Sequence, residues 1–155
     1  MNDRIELLRA RVDKILLTMP DHEERRCAYL HLYGVAQAAA MIAMKRGENV
    51  ELAIAAGMLH DIYTYSQMDS WEHGPKGAVM AREILEHLSL FSVKEIDLIC
   101  GAIACHSDKA GKHMPLYEVL IDADVWQHYL YHPNLHHYAH ENERIIRLKK
   151  EFSIG

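Results

Sequence analysis

Cysteine is scarce in this sequence, long apolar runs are missing, and positive charge is not in excess. The cysteines are Cys27, Cys100 and Cys105, an odd number without the C-x-x-C spacing of zinc or redox motifs. We therefore expect reduced thiols in a cytoplasmic protein and no disulfide framework. No apolar run approaches the roughly 20 residues that span a bilayer, and the charged N-terminus does not resemble a signal peptide. These absences argue against a secreted or membrane protein.

The charge balance is negative, with 17 Lys and Arg against 22 Asp and Glu and a formal net charge of −5. A nucleic-acid partner requires clustered positive charge to neutralise phosphates, so we expect no nucleic acid and no membrane among the partners. At 155 residues, 50% hydrophobic and 25% charged, the chain is predicted to form one globular domain, residues 1–155, with a single core. Its 12 histidines are the unusual figure, and their positions require an explanation.

The secondary-structure pattern is helical throughout, because apolar residues recur at three- and four-residue spacing and no useful β-alternation appears. Capping signals mark several boundaries, such as the D-x-x-E pattern and the glycine that bracket the second helix. We predict helices over Ile5–Leu16, Asp21–Arg46, Asn49–His60, Gly74–His87, Ser92–His106, Leu116–Tyr131 and Leu135–Phe152, with loops at Ile62–Glu72 and Ser107–Pro115. The expected fold is an all-α, single-domain helical bundle.

Histidine and aspartate meet where an apolar helical run ends. Residues 52–59 are apolar and lead directly into His60 and Asp61. His31 lies in the apolar middle of the second predicted helix, and Asp124 follows a further apolar run. Imidazole and carboxylate are ligands for the divalent metals that assist phosphoester hydrolysis. The alternative for a single His-Asp pair is a core histidine whose ring is held by a neighbouring carboxylate.

The ordered set His31, His60-Asp61 and Asp124 on predicted helices resembles the H…HD…D pattern of the HD-domain superfamily of metal-dependent phosphohydrolases. In that family the last ligand is the aspartate of an A-D pair, which implies Asp124 and leaves Asp122, on another face of the helix, without a metal. The resemblance implies a hydrolase of phosphoric esters or anhydrides in which a metal-activated water is the nucleophile. It also implies that His60 and Asp61 take part in catalysis.

A second tier of histidines resembles the branch of the superfamily that holds two metal ions. His73, in the sequence H-G-P, and His106, in C-H-S, carry this likeness, and the matching stretch covers about residues 29–126. With both as ligands, Asp61 would bridge two ions, and the set resembles bacterial hydrolases of dinucleoside polyphosphates. Without them a single ion remains, and the set resembles nucleoside-5′-monophosphate phosphatases. Each histidine could instead face solvent at a helix end.

The ligand types are compatible with one or two divalent transition-metal ions, which could be iron, manganese, cobalt, nickel or zinc. The resemblance implies a small phosphorylated substrate, a nucleotide or a related phosphoester, and it leaves a homodimer open. Two alternatives also stay open. One is a non-catalytic regulatory module that binds metal or nucleotide, and the other is a di-iron oxygenase of the same superfamily.

Cations and aromatic rings near these histidines are candidates for binding the substrate. Lys76 and Lys109 follow His73 and His106 and are expected to reach a phosphate, although exposed lysines are equally ordinary. Many family members read H-D-I-G-K, whereas this chain has tyrosine and threonine after H-D-I. The departure removes the family's lysine and suggests that Tyr63 stacks on a base.

Five histidines near the C-terminus form a further cluster: His128, His132, His136, His137 and His140. His136 and His140 are four residues apart and could hold a metal from one helix face. Because no carboxylate-rich apolar segment surrounds them, we favour a solvated helix face whose histidines stack on neighbouring tyrosines.

Overall fold

Helices make up the chain wherever the structure describes it. The computed structural model describes residues 3–134 and 137–155. Its helices are α1 (Arg4–Leu16), α2 (His22–Arg46), α3 (Val50–Leu59), α4 (Ile62–Gln67), α5 (His73–Leu88), α6 (Val93–Cys105), α7 (Pro115–Tyr131) and α8 (Ala139–Glu151). No strand occurs in these two ranges, so the predicted all-α fold is confirmed.

The boundaries of α2 and α6 are set by the capping residues that the sequence indicated. The Asp21 side chain accepts a hydrogen bond from the backbone N–H of Glu24 at 2.8 Å, and Gly47 ends α2 with a left-handed φ of 73°. Ser92 and Glu95 form a reciprocal capping box at the start of α6. These contacts satisfy N–H and C=O groups that a helix end leaves without intrahelical partners.

Helix α2 is the centre of the fold and packs on α3 and α7. It approaches α3 closely because both helices carry small residues at the contact: a Cβ on Gly57 would lie 2.6 Å from the Cα of Ala36. Within the described ranges it is also the one helix long and apolar enough to cross a bilayer, but half of that apolar stretch is buried by its neighbours. This core position brings His31 beside the end of α3 and the middle of α7.

The segment after the His-Asp pair is not a continuous loop, and that prediction is wrong. Residues 62–67 form the short helix α4, which is followed by a turn with positive φ at Met68 and Glu72. Only Ile62 of this helix is buried. The segment therefore lacks the repeated apolar positions by which a helix is recognised in a sequence.

Helix α8 starts later than predicted. Residues 135 and 136, where the prediction began it, lie outside the described ranges, and His137 and Tyr138 are not helical. The helix begins at Ala139, and the Glu141 carboxylate accepts a hydrogen bond from the backbone N–H of Tyr138 at 3.1 Å. This start places His137 before the helix and not on its exposed face.

Candidate metal centre

Four histidines converge from four different parts of the fold. His31 lies in the middle of α2, His60 and His106 directly follow α3 and α6, and His73 is the first residue of α5. The Nε2 atoms of His31 and His60 are 3.0 Å apart, and those of His73 and His106 are 3.2 Å apart. Two pairs of imidazole edges therefore face each other between the helices.

The hydrogen bond on the far side of each ring defines which nitrogen carries the proton. In every ring Nδ1 lies 2.7 to 3.0 Å from an oxygen that can only accept a hydrogen bond. The acceptors are Gln127 Oε1 for His31 and the carbonyl oxygens of Gly57, Ser70 and Ile103 for His60, His73 and His106. Nδ1 therefore donates in the neutral ring, and the lone pair of Nε2 points at its neighbour. Two facing lone pairs repel each other unless a cation lies between them.

Asp61 lies between the two pairs and presents one carboxylate oxygen to each. Its Oδ2 is 3.4 Å from His31 Nε2 and 3.5 Å from His60 Nε2. Its Oδ1 is 3.3 Å from His106 Nε2 and 3.6 Å from His73 Nε2, and it accepts no hydrogen bond from the described residues. A carboxylate so placed can bridge two cations.

Asp124 joins the first pair from α7. Its Oδ1 is 3.5 Å from His31 Nε2 and 3.8 Å from His60 Nε2, and it too lacks a hydrogen-bond donor in the part of the chain that the structure describes. Its Oδ2 pairs with the Lys109 ammonium at 2.8 Å. Burial raises the pKa of Asp124, but the charges of Lys109 and the nearby rings outweigh it and hold the pKa below its ordinary value. A buried, ionised oxygen without a donor suits a metal ligand.

Asp122 faces away from this centre, as expected for a residue two positions before Asp124 on the same helix. Its Oδ2 pairs with Arg46 on α2 and its Oδ1 with Arg144 on α8, each at 2.7 Å. The geometry thus agrees with the choice of Asp124 over Asp122, while the role of Asp124 as a ligand stays a prediction.

The buried rings differ in how readily they take a proton. Burial is the largest effect on His60 and lowers its pKa to about 4, so this ring is neutral near pH 7. Burial also opposes a charge on His31 and His106, but contacts with Asp61 and Asp124 outweigh it and raise the pKa of both rings. The carboxylates therefore attract positive charge to the space between the rings.

The donor set fits divalent metal ions. Donor atoms that lie within 4.8 Å of one another form groups, and two of these groups share one carboxylate. The groups are His31, His60 and Asp61; Asp61, His73 and His106; and His31, Asp124 and His128. Imidazole nitrogens and carboxylate oxygens in this number suit first-row transition metals. The structure thus brings together every residue that the sequence predicted as a metal ligand.

A cavity of about 350 Å³ opens on this centre. Its floor is formed by predicted ligands, and its walls come from the loop after α6 and from the start of α8. The wall residues are Ser107, Lys109, Tyr138, His140 and Glu141. The cavity therefore gives a small molecule access to the histidines and carboxylates that line it.

Comparison with known proteins identifies the family. The model of the HD domain family matches residues 28–148, which is most of the chain. The chain belongs to the HD-domain family. A crystal structure of a predicted HD superfamily hydrolase from an uncultured Thermotogales bacterium aligns with a TM-score of 0.62 and 20% identity, over 96% of this chain and 86% of that one. This likeness shows a shared fold. The comparison with curated proteins found no match.

His128 lies beside this HD-domain site and is also solvent-exposed as predicted, with 47% of its side chain accessible. Its ring stacks on that of His31, with centroids 4.8 Å apart and planes 10° apart. Its Nδ1 is 3.8 Å from Asp124 Oδ1. The signal was present in the sequence, because His128 follows Asp124 by four residues and so lies on the same face of α7.

The prediction of one solvated helix face is wrong for His137, which is buried and precedes α8, whereas His128 and His132 are exposed as predicted. His140 lines the cavity. The expected stacking on tyrosine is present between His140 and Tyr138, whose ring centroids are 5.8 Å apart. The hypothetical metal site of His136 and His140 lies partly outside the described residues.

Two polar residues of the cavity had no signal in the sequence. Ser107 Oγ lies 2.9 Å from His73 Nε2. Glu141 pairs with Lys109 at 3.2 Å. Each contact joins residues more than 30 positions apart, so no local sequence pattern indicates it.

The predicted substrate-binding residues are divided between two places. Lys109 lies in the cavity wall. Tyr63 and Lys76 instead meet at Asp69, whose Oδ2 accepts from the tyrosine hydroxyl at 3.0 Å and from the ammonium at 3.2 Å. Neither Tyr63 nor Lys76 lines the cavity, and a substrate-binding role for them stays an expectation.

Proposed function

We propose that this HD-domain chain is a metal-dependent phosphohydrolase with a two-metal centre, acting on a nucleotide or a related small phosphoester. The observation that carries the proposal is the position of Asp61, each of whose carboxylate oxygens faces one pair of histidine Nε2 atoms. A core histidine held by a carboxylate needs only one ring. Two facing ring pairs with a carboxylate between them supply what two divalent cations require.

The ligands would divide into two sets that share Asp61. The pair containing His31, together with Asp124, would hold one ion, and the pair containing His73 would hold the other. When bound, such ions act as Lewis acids and lower the pKa of coordinated water towards about 7. The hydrogen bonds from Nδ1 keep the four rings oriented with their lone pairs towards the centre.

Lys109 would place a fixed positive charge beside the substrate. Its side chain is 14% exposed and pairs with Asp124 and Glu141. Burial lowers the pKa of this ammonium, but the two carboxylates outweigh burial and raise it, so the group stays charged. A fixed cation at the wall favours phosphoryl oxygens. The volume of about 350 Å³ lies near the lower end of the roughly 300–1,000 Å³ usual for ligand sites, which supports a small phosphoester.

Metal analysis followed by a screen for phosphate release tests the proposal. We expect protein loaded with manganese, iron, cobalt, nickel or zinc to release phosphate from a nucleotide, and chelator-treated protein and Asp61→Asn to be inactive. Asp97→Asn is the matched control, because Asp97 pairs with Arg82 on the surface at 2.7 Å. Oxygen consumption by iron-loaded protein without phosphate release would favour the di-iron oxygenase. Metal binding without any turnover would favour the regulatory module.

A further inference from the structure

His31 differs from the other three rings in what orients it. The acceptors for His60, His73 and His106 are backbone carbonyls three residues earlier in the chain. Those rings lie at helix ends, where each ring can reach a carbonyl of the last turn or of the preceding loop. The carbonyl of Ile103 also accepts from the backbone N–H of His106 at 3.3 Å. His31 lies in the middle of α2, where the preceding carbonyls are used by the helix itself. Its orientation therefore depends on a side chain from another helix.

That side chain is Gln127 on α7, whose Oε1 is 2.8 Å from His31 Nδ1. Gly34 makes room for it. Gly34 follows His31 by three residues and so lies on the same face of α2. A Cβ at this position would be 2.9 Å from Gln127 Cγ and 3.3 Å from its Nε2. Gly34 does not have a positive φ, so glycine is needed here for space and not for backbone conformation.

We propose that Gln127 is a positioning residue for His31 and that Gly34 provides the space that admits it. By accepting the Nδ1 proton in a hydrogen bond, the amide oxygen selects the tautomer whose lone pair is on Nε2. It also holds the ring towards His60 and Asp61. This inference rests on the metal centre proposed above. It adds that the first metal site depends on a side chain that a single substitution can remove, whereas the rings of the second site are oriented by backbone.

Metal titration of the metal-free protein with Co²⁺ is the first test. The equivalent that His31→Ala removes identifies the site concerned. Gln127→Leu keeps the size of the side chain but removes the acceptor, and we expect about 10- to 100-fold weaker affinity at that site alone. Gln127→Glu keeps an acceptor and should stay within a few-fold of the wild type. Gln37→Leu, at an exposed position of α2, is the matched control. Unchanged affinity in Gln127→Leu would overturn the proposal.

A double-mutant cycle tests the role of Gly34. Gly34→Ala should weaken the same site as Gln127→Leu does, because the new methyl group displaces the glutamine. In the Gln127→Ala background there is no stem to displace, so Gly34→Ala should have little further effect on affinity. Equal losses in both backgrounds would show that Gly34 acts through general helix packing, and would overturn its assigned role.

Nitrogen-15 NMR of the histidine rings gives a readout independent of metal and of turnover. At a pH high enough for every ring to be neutral, we expect His31 to be the Nδ1–H tautomer in wild type and in Gln127→Glu. We expect a tautomer mixture in Gln127→Leu. A pure Nδ1–H tautomer in Gln127→Leu would contradict the inference. If the wild type bound no metal, the proposed function would fail while this measurement still decided the role of Gln127.

Discussion

Two carboxylates on α7, two residues apart and both buried, have opposite surroundings. Asp122 is fully paired, because Arg46 and Arg144 each donate to one of its oxygens at 2.7 Å. Asp124 has Lys109 on one oxygen, whereas its other oxygen faces histidine nitrogens and accepts no hydrogen bond from the residues described. A fully paired buried charge holds elements together, but a buried oxygen left free is costly unless it binds something. One helix thus has a structural face and, under the proposed function, a ligand-binding face.

Arg144 connects the structural face of α7 to the wall of the cavity. This side chain is 2% exposed. Besides Asp122 it binds Glu118 at 2.7 Å and the carbonyl oxygen of Lys109 at 2.8 Å. The arginine therefore ties α8 to α7 and to the loop that carries Lys109. The ion pairs on one face of α7 therefore position the residues that surround its other face.

We expect the largest effect on activity, which should differ between Asp124→Asn and Asp122→Asn. Asp124→Asn should lower kcat by more than about 100-fold, beyond the usual loss for a residue that only supports a ligand. It should also remove one equivalent of metal, because its free oxygen is lost as an anionic donor. Asp122→Asn should keep measurable turnover and both equivalents. Phosphate release and metal content of the purified variants check this. The reverse outcome would show that the two faces are assigned wrongly.

The second prediction concerns the number of metal ions, one or two, that the centre holds. His73→Ala should lose about one equivalent of metal and most of the activity, because His73 faces Asp61 Oδ1 at 3.6 Å and not Asp124. Metal content and kcat measured on the same preparation decide the point. If His73→Ala and His106→Ala keep both metal and rate, the centre is mononuclear.

For the free energy of unfolding we expect the opposite order, with the larger loss in Asp122→Asn and the smaller loss in Asp124→Asn. Asp122→Asn leaves two arginines with a weaker partner, and a buried ion pair that loses one member typically costs about 3 kcal/mol or more. Asp124→Asn in the metal-free protein should cost less, because it removes a charge that the fold does not fully pair. Urea unfolding of metal-free proteins gives both free energies of unfolding. A larger loss of stability in Asp124→Asn would contradict the structural role assigned to Asp122.

The smallest expected effect concerns the pH dependence of stability at Glu151, whose carboxylate pairs with Arg46. Hydrogen bonds from Arg46 outweigh burial and lower the pKa of Glu151 below its ordinary value of 4.5. A carboxyl whose pKa is lower in the folded state contributes stability above its unfolded pKa and loses it as the pH falls. Glu151→Gln should therefore cost less than about 1 kcal/mol at pH 7, and the difference from wild type should shrink below pH 4.5. A difference that did not shrink as the pH falls below 4.5 would show that charge is not its origin.

Most helices were predictable because their signals are local. Asp21 and Gly47 act within one turn of the helix that they cap, and apolar periodicity marks each buried face. Helix α4 was missed because it buries only Ile62. The later start of α8 follows from Glu141, which accepts from the backbone of Tyr138 and had no apolar pattern to mark it.

The residue types at helix ends and in apolar helical middles can be read from the sequence, and they single out His31, His60, Asp61 and Asp124. Only the tertiary structure decided that Asp61 presents one oxygen to each ring pair and that Gln127 orients a ring 96 positions earlier in the chain. The physical reason is the range of the interactions. Caps and periodicity act over a few residues, whereas the sharing of a carboxylate and the choice of a tautomer depend on how α2, α3, α5, α6 and α7 pack together.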